Sequence, residues 1–178
     1  RSSQGIDDVE SRLLNRLKHL TGYDLGYFYE SYSEDAKLVR EIRTQAVEIV
    51  ATSWRDDSST YTWLKQRVVS DESSNVRREA LRQIATGWKH EPGILDLLQQ
   101  RLVSDESWDV RVEALQQIAT GWKHEPGILD LLKQWVESDD DVYVRHEALQ
   151  QIATGWKHEP GILDLLKQRV VSDESSHV

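Results

Sequence analysis

The chain has 178 residues with 38% hydrophobic and 30% charged side chains, no cysteine and a formal net charge of −9. This length predicts one folded unit with a buried core, and no apolar run approaches the roughly 20 residues that a membrane-spanning helix needs. The missing cysteines exclude disulfides, thiolate nucleophiles and Cys-based metal sites, and the negative charge argues against nucleic acid, whose phosphates require a positive protein face.

The first 33 residues are predicted to hold one helix and an aromatic loop. Five apolar residues at helical spacing mark the helix over residues 7–20, and they are Val9, Leu13, Leu14, Leu17 and Leu20. The aromatic residues that follow are Tyr23, Tyr27, Phe28, Tyr29 and Tyr32. Because repeat arrays need modified ends that cover apolar surface, we interpret residues 1–33 as a capping element, and a ligand-stacking aromatic site is the alternative. Ser33 then caps a predicted helix that ends near Thr52.

A unit of 34 residues recurs along the rest of the chain. The segment QIATGWKHEPGILDLL begins at Gln83, at Gln117 and at Gln151. Three full units occupy residues 70–103, 104–137 and 138–171, a diverged copy occupies residues 34–69, and residues 172–178 open a truncated unit. A period of about 20 to 50 residues is typical of solenoid architectures.

The first half of each unit is predicted to be an amphipathic helix. In the unit that starts at Ser70, one face carries Val76, Ala80, Leu81 and Ile84, as expected for a single buried stripe. N-cap oxygens are predicted from Ser73, Ser107 and Asp141. Left-handed glycines are predicted after the last turn at Gly87, Gly121 and Gly155. The tryptophans that follow, Trp88, Trp122 and Trp156, are interpreted as structural contacts back onto the helix.

The second half of each unit is predicted to be another helix, which in the unit from Ser70 starts at Pro92 and ends near Val103. Proline suits the first turn because the N–H that it lacks would have no partner within the helix there. The stripe of this helix consists of Ile94, Leu95, Leu98 and Leu102. One pair of short helices cannot cover both of its stripes, whereas stacked pairs form a continuous core. The expected fold is therefore an all-α, right-handed α-solenoid of stacked antiparallel helix pairs.

The unit resembles HEAT-like repeats of the phycobilisome-lyase type. The resemblance rests on an Asp six residues before an Arg that follows Val, as in Asp71 and Val76-Arg77, followed by E-A-L-x-x-I-A-T-G, and it covers roughly residues 36–178. It implies that the Val-Arg helices line the concave side of a superhelix. It also implies a hydrogen-bonded ladder formed by Asp71, Arg77, Asp105, Arg111, Asp139 and Arg145.

The linker G-W-K-x-x-P, at Gly87 to Pro92, is similar to the HEAT arrays of bacterial STAND-type signalling NTPases. This second resemblance implies a sensor array whose NTPase module would lie outside the sequence, because no phosphate-binding G-x-x-x-x-G-K-[ST] loop is present.

Catalytic or metal chemistry finds little support in the repeats. His90, His124 and His158 each precede a glutamate, but equivalent atoms of stacked helices are about 8 to 10 Å apart, too far to share one metal. We interpret them as solvated turn residues and expect no cofactor and no catalysis. The acidic pairs that begin at Asp71, Asp105 and Asp173, and the run 139–141, precede helix starts, where negative charge is favourable; a cation or a basic partner is the alternative.

Adjacent units differ mainly on one surface of the Val-Arg helices. The predicted partner-binding residues there are Asn75, Arg78, Arg82, Trp108, Asp109, Val112, Gln116, Tyr143, His146 and Gln150. Glu79 and Gln83 are judged equally exposed, yet they recur unchanged in the next two units. This favours ligand recognition at the variable positions over random change of exposed residues. Trp108 could instead pack against a neighbouring unit. The same two interpretations apply to Trp135, which replaces Arg101.

We therefore expect a cytoplasmic, non-catalytic module that binds a protein or peptide, without nucleic-acid or membrane partners. The alternatives are an engineered or consensus repeat scaffold, which such similar repeats would also suit, and a bilin lyase, which lacks support from converging acid, base or nucleophile groups. DNA binding through Arg78, Arg82 and Arg101 is disfavoured because Val112, Gln116 and Trp135 stand at the next positions. The last leucine-rich helix, from about Pro160, is expected to fray or to pack end to end with another copy.

Overall fold

The structure, a computed structural model, describes the backbone of residues 34–174 and the side chains of residues 37–169. The predicted helix at residues 7–20, the aromatic loop that follows it and the last four residues of the chain lie outside the described residues.

The described residues form eight α-helices and no strand. In chain order they are α1 (Glu34–Ser53), α2 (Ser58–Ser70), α3 (Ser74–Gly87), α4 (Ile94–Ser104), α5 (Trp108–Gly121), α6 (Ile128–Ser138), α7 (Val142–Gly155) and α8 (Ile162–Glu174). This all-helical architecture confirms the prediction of an α-solenoid fold.

The chain divides into two compact units at Ile94 and Leu95. In the first unit, α1 packs against α2 and α3, and α2 packs against α3. In the second unit, α5 packs against α6 and α7, while α7 also contacts α6 and α8. Helices from successive repeats therefore pack side by side within each unit.

The predicted apolar stripe of the Val-Arg helix forms the core. Val76, Ala80, Leu81 and Ile84 are completely buried in α3. Their counterparts in α5, which are Val110, Ala114, Leu115 and Ile118, are buried to the same extent. The periodicity of the sequence is a reliable guide here because each stripe faces a packed helix on its own unit.

The turn between the two helices of each repeat differs from the prediction. The glycines with left-handed backbone are Gly93, Gly127 and Gly161, with φ of 80°, 86° and 82°, rather than Gly87, Gly121 and Gly155. The second helices accordingly begin at Ile94, Ile128 and Ile162 instead of at the prolines. After the first helix the chain makes a further turn, closed in the first unit by a 2.9 Å hydrogen bond from the N–H of Glu91 to the carbonyl of Trp88, so the proline lies within the turn.

The helix starts also correct part of the prediction. Ser73 and Ser107 occupy N-cap positions, but neither side chain makes a capping hydrogen bond, whereas Asp141 accepts from the N–H of Tyr143 at 2.8 Å. An aspartate two residues before each N-cap position accepts a hydrogen bond from the N–H of the N-cap residue instead. Asp71 accepts from the N–H of Ser73 at 3.0 Å, and Asp105 and Asp139 do the same for the residues at the equivalent positions.

Replacing Gly93 by alanine is expected to lower the free energy of unfolding by about 1 to 2 kcal/mol, because an L-residue is strained at positive φ. A Cβ at Gly93 would have no heavy atom within 4 Å, so the backbone conformation alone would carry the effect. Gly87→Ala is the matched control: its Cβ would have equally open space, and its φ is not left-handed. Urea unfolding should show equal or slightly higher stability for the control; equal losses in both variants would contradict the assignment.

Candidate functional site

Buried arginine–aspartate pairs join consecutive repeats within each unit. Arg111 on α5 donates from Nε and Nη2 to the carboxylate of Asp139 at 3.3 and 3.1 Å. The two side chains are only 12% and 3% exposed. Nη1 of the same arginine donates to the carbonyl of Asp105 at 3.1 Å, so one guanidinium ties the preceding loop to the loop that follows.

The same arrangement occurs in the first unit. Arg43 on α1 donates from Nη2 to both carboxylate oxygens of Asp71 at 2.9 and 3.0 Å, and Arg67 reaches that carboxylate at 3.2 Å. Arg77, a predicted ladder residue, donates to the carbonyl of Asp71 at 2.9 Å, and Arg145 donates to the carbonyl of Asp139 at 2.8 Å. Arg43 and Arg67 therefore connect consecutive repeats, whereas these bonds of Arg77 and Arg145 lie within one repeat.

Sequence reasoning did not select Arg43 or Arg67 as members of this network. The signal for Arg43 was present, because residue 43 stands one period of 34 before Arg77 in the diverged copy. Arg67 was not selected because it lies on a second helix, and the resemblance implied only arginines of the Val-Arg helices as partners of the aspartates.

A second set of contacts between repeats involves the turn tryptophans. The guanidinium of Arg55 lies 5.7 Å from the ring centroid of Trp88 and donates a hydrogen bond to the carbonyl of Gly87. In the second unit the ammonium of Lys123 lies 5.6 Å from the ring of Trp156. Cations over indole rings are favourable contacts, so these tryptophans interact with the preceding repeat as well as with their own helix.

A surface pocket of about 220 Å³ adjoins Trp88 in the first unit. Its lining residues are Arg55, Asp56, Gly87, Trp88, His90 and Glu91. Tyr61 stacks on Trp88 at 5.9 Å between centroids, and burial, with a smaller contribution from Glu91, raises the pKa of Tyr61. Arg55 already interacts with both the ring and the backbone of the pocket wall, so the pocket is chiefly the edge of a structural contact.

The histidines beside the glutamates are all exposed. His90, His124 and His158 lie in the turns that lead to α4, α6 and α8. Among the side chains of residues 37–169, the structure brings no three His, Asp or Glu groups close enough together to hold a metal ion.

The variable positions of α7 are more exposed than those of α3 and α5. In α3, Asn75, Arg78 and Arg82 are half-buried, and Arg82 forms an ion pair with Glu79 at 2.7 Å. In the second unit the variable residues of α5, which are Asp109, Val112 and Gln116, are half-buried. Those of α7, which are Tyr143, His146 and Gln150, are exposed. Because α5 packs against α7, these last two sets lie on neighbouring helices.

The expectation that Glu79 and Gln83 are exposed is wrong. They are 8% and 9% exposed, and Nε2 of Gln83 donates to Glu79 at 2.6 Å. The same bond joins the equivalent residues in α5 at 2.8 Å and in α7 at 2.7 Å. Because helices pack on more than one side of α3, the buried arc is wider than a single stripe. Constancy at these positions therefore reflects packing, and it no longer argues against drift elsewhere.

An exposed aromatic pair lies at the start of α5 and α7. The rings of Trp108 and Tyr143 stack with centroids 4.6 Å apart and planes 27° from parallel. Trp108 is 43% exposed and Tyr143 is 58% exposed. Trp108 thus packs against a residue of the neighbouring repeat and also presents surface to solvent, so it has features of both interpretations, a packing residue and a binding residue. Trp135 is half-buried in α6.

Comparison with known families gives one match. The family model for HEAT repeats matches residues 39–119 and again residues 61–153, the second of which is more than half of the chain. Neither curated proteins nor solved structures give a match. Among the helices of the described residues, none is both long and apolar enough to cross a bilayer.

Proposed function

Because the chain belongs to the HEAT-repeat family, we propose that it is a non-catalytic module that binds a protein or peptide through the variable face of its Val-Arg helices. Proteins of this architecture commonly mediate protein interactions through extended concave surfaces, and they are typically not enzymes. The observation that carries the proposal is the exposed row Tyr143, His146 and Gln150 on α7, next to the variable residues of α5.

The chemistry of this face suits a macromolecular ligand. Stacked Trp108 and Tyr143 supply large, rigid contact area, and tryptophan, tyrosine and arginine are the residue types enriched in binding hot spots. The buried Arg111–Asp139 pair joins the two repeats that carry these residues. A rigid helix face keeps the entropic cost of binding low, because few groups must be ordered.

The test is selection of random peptides displayed on phage against the intact chain. We expect selected peptides to lose most of their binding to a variant with Arg78, Val112, Tyr143 and His146 replaced by alanine. A matched control replaces Gln66, Gln100, Gln134 and Gln168, which are exposed glutamines at one shared position on the second helices. Equal binding to both variants would place the site elsewhere.

We further propose a finer setting, a cytoplasmic sensor array of a bacterial STAND-type signalling protein. Its support is the resemblance of the linker from Gly87 to Pro92, which recurs in the turns of the three full units. A gene in which the array continues into an NTPase module would support this setting. A library randomised at positions 75, 78 and 82 would instead support an engineered scaffold, and bilin transfer by the chain would support a lyase.

Self-association through α8 is a separate proposal. Leu163 is 62% exposed, and Leu166 is half-buried although its counterpart Leu132 is completely buried. Exposed apolar surface of this kind favours association. Light scattering should therefore report a mass that rises with protein concentration and falls after Leu163→Glu. A constant monomer mass for the unchanged chain would contradict the proposal.

A further inference from the structure

The aromatic pair Trp108–Tyr143 has features of a docking point for one kind of side chain. Its two rings come from consecutive repeats of the second unit, and both keep a large exposed fraction. The pair depends on this combination of repeats, because Ser74 and Val142 stand where Trp108 stands, and Asn75 and Asp109 stand where Tyr143 stands. Exposed tryptophan and tyrosine faces attract cations, above all the planar guanidinium of arginine.

The charges around the pair are mostly negative. Within three residues of Trp108 or Tyr143 lie five carboxylates and two guanidinium groups, which are those of Asp105, Glu106, Asp109, Asp140 and Asp141 and of Arg111 and Arg145. Glu106 and Asp140 are exposed, and the side chain of Asp140 is 99% exposed. Arg111 is paired with Asp139, so the positive charge to compare is that of Arg145 plus about half a charge from each of the two helix starts, and the five carboxylates outweigh it.

The basic groups of the same region are engaged in structural contacts. The guanidinium of Arg111 is paired with Asp139, and that of Arg145 donates to the carbonyls of Asp139 and Asp140 at 2.8 and 3.1 Å. The basic side chain on the following turn of α7 is that of His146, which is exposed. The field at the aromatic pair is therefore negative, which complements a basic ligand and repels an acidic one.

We propose that the partner is a basic peptide segment and that it places an arginine or lysine side chain on the Trp108–Tyr143 pair. This inference rests on the proposed function, since it names the chemistry of the ligand for the same face. The aromatic rings supply the contact for the cation, and the surrounding carboxylates attract the rest of the basic segment.

The experiment measures fluorescence anisotropy of a labelled 12-residue peptide of alternating arginine and glycine, with a glutamate–glycine peptide of the same length as the comparison. We expect binding of the arginine peptide alone. Trp108→Ala and Tyr143→Ala should each weaken it about 2- to 5-fold, whereas the Gln66, Gln100, Gln134 and Gln168 control should bind unchanged. Trp108→Phe should retain most of the affinity, because an aromatic face remains. Glu106→Gln with Asp140→Asn should weaken binding and reduce its dependence on salt.

Equal affinity for the two peptides would overturn the proposal, and so would arginine-peptide binding that is insensitive to loss of the two rings, because that would be nonspecific attraction to an acidic protein. The outcome is separable from the proposed function. If phage-selected peptides require the variable face but carry no excess of arginine or lysine, the proposed function stands and this inference fails. Melting curves should show all exposed-site variants folded like the unchanged chain.

Discussion

Replacing Asp139 by alanine is expected to lower the free energy of unfolding of the second unit by about 3 to 5 kcal/mol, because it strands a buried charge. Asp139 is 3% exposed in its side chain and accepts two hydrogen bonds from Arg111 and one from the N–H of Asp141. Removing the carboxylate leaves the guanidinium, which is 12% exposed, with only the solvent-exposed carboxylate of Asp140 as a counterion. Urea unfolding followed by circular dichroism measures the loss.

Asp140 provides the matched control for this prediction. It is adjacent in sequence, its carboxylate is 3.6 Å from the same guanidinium, and its side chain is 99% exposed. Asp140→Ala should leave the stability nearly unchanged, because exposed ion pairs contribute little. The double variant Asp139→Ala with Arg111→Ala should lose less than the sum of the single losses, since neither charge is then stranded. Similar losses at Asp139 and Asp140 would refute a structural role that depends on burial.

Leu132→Ala is expected to cost about 2 to 5 kcal/mol of unfolding free energy, since it removes a fully buried side chain and leaves a cavity. Leu132 lies on α6, which packs against α7 and also contacts α5 in the second unit. Because protein interiors are close-packed, we expect the surrounding helices to refill little of this space, which keeps the cost near the upper part of this range.

Leu166 is the natural comparison because it occupies the same repeat position on α8 and is only half-buried. Leu166→Ala should cost about 1 kcal/mol or less, since less surface returns to water and solvent fills the space. Denaturant titrations of both variants at one low protein concentration would keep self-association out of the comparison. Equal costs would mean that position in the repeat, rather than burial, determines the energetics.

The repeats and their helices follow from the sequence because both are local properties. A period of 34 residues is visible by inspection, and the stripe from Val76 to Ile84 predicts which face is buried. Every helix needs an apolar stripe at a period of 3.6 residues to join a core, so the pattern and the burial agree at all four of its positions in α3.

The turns could not be predicted correctly from local preferences. Both Gly87 and Gly93 suit a left-handed backbone, and a proline at the first helical position is a common pattern. The structure places the left-handed residue at Gly93, where the extra turn after Trp88 ends. That turn is accompanied by the contacts of Trp88 with Tyr61 and Arg55, which belong to another repeat. Local backbone preferences are too similar at the two glycines to predict which of them is left-handed.

The sequence by itself determined the repeat period, the helical class and the buried stripe, because these depend on neighbours within one or two helical turns. Only the tertiary structure showed that Glu79 and Gln83 are buried partners and that Arg43 pairs with Asp71. It alone brought Trp108 against Tyr143. These contacts depend on how one repeat packs on the next, and side chains that are distant in sequence meet only when that packing is set by all of the core residues together.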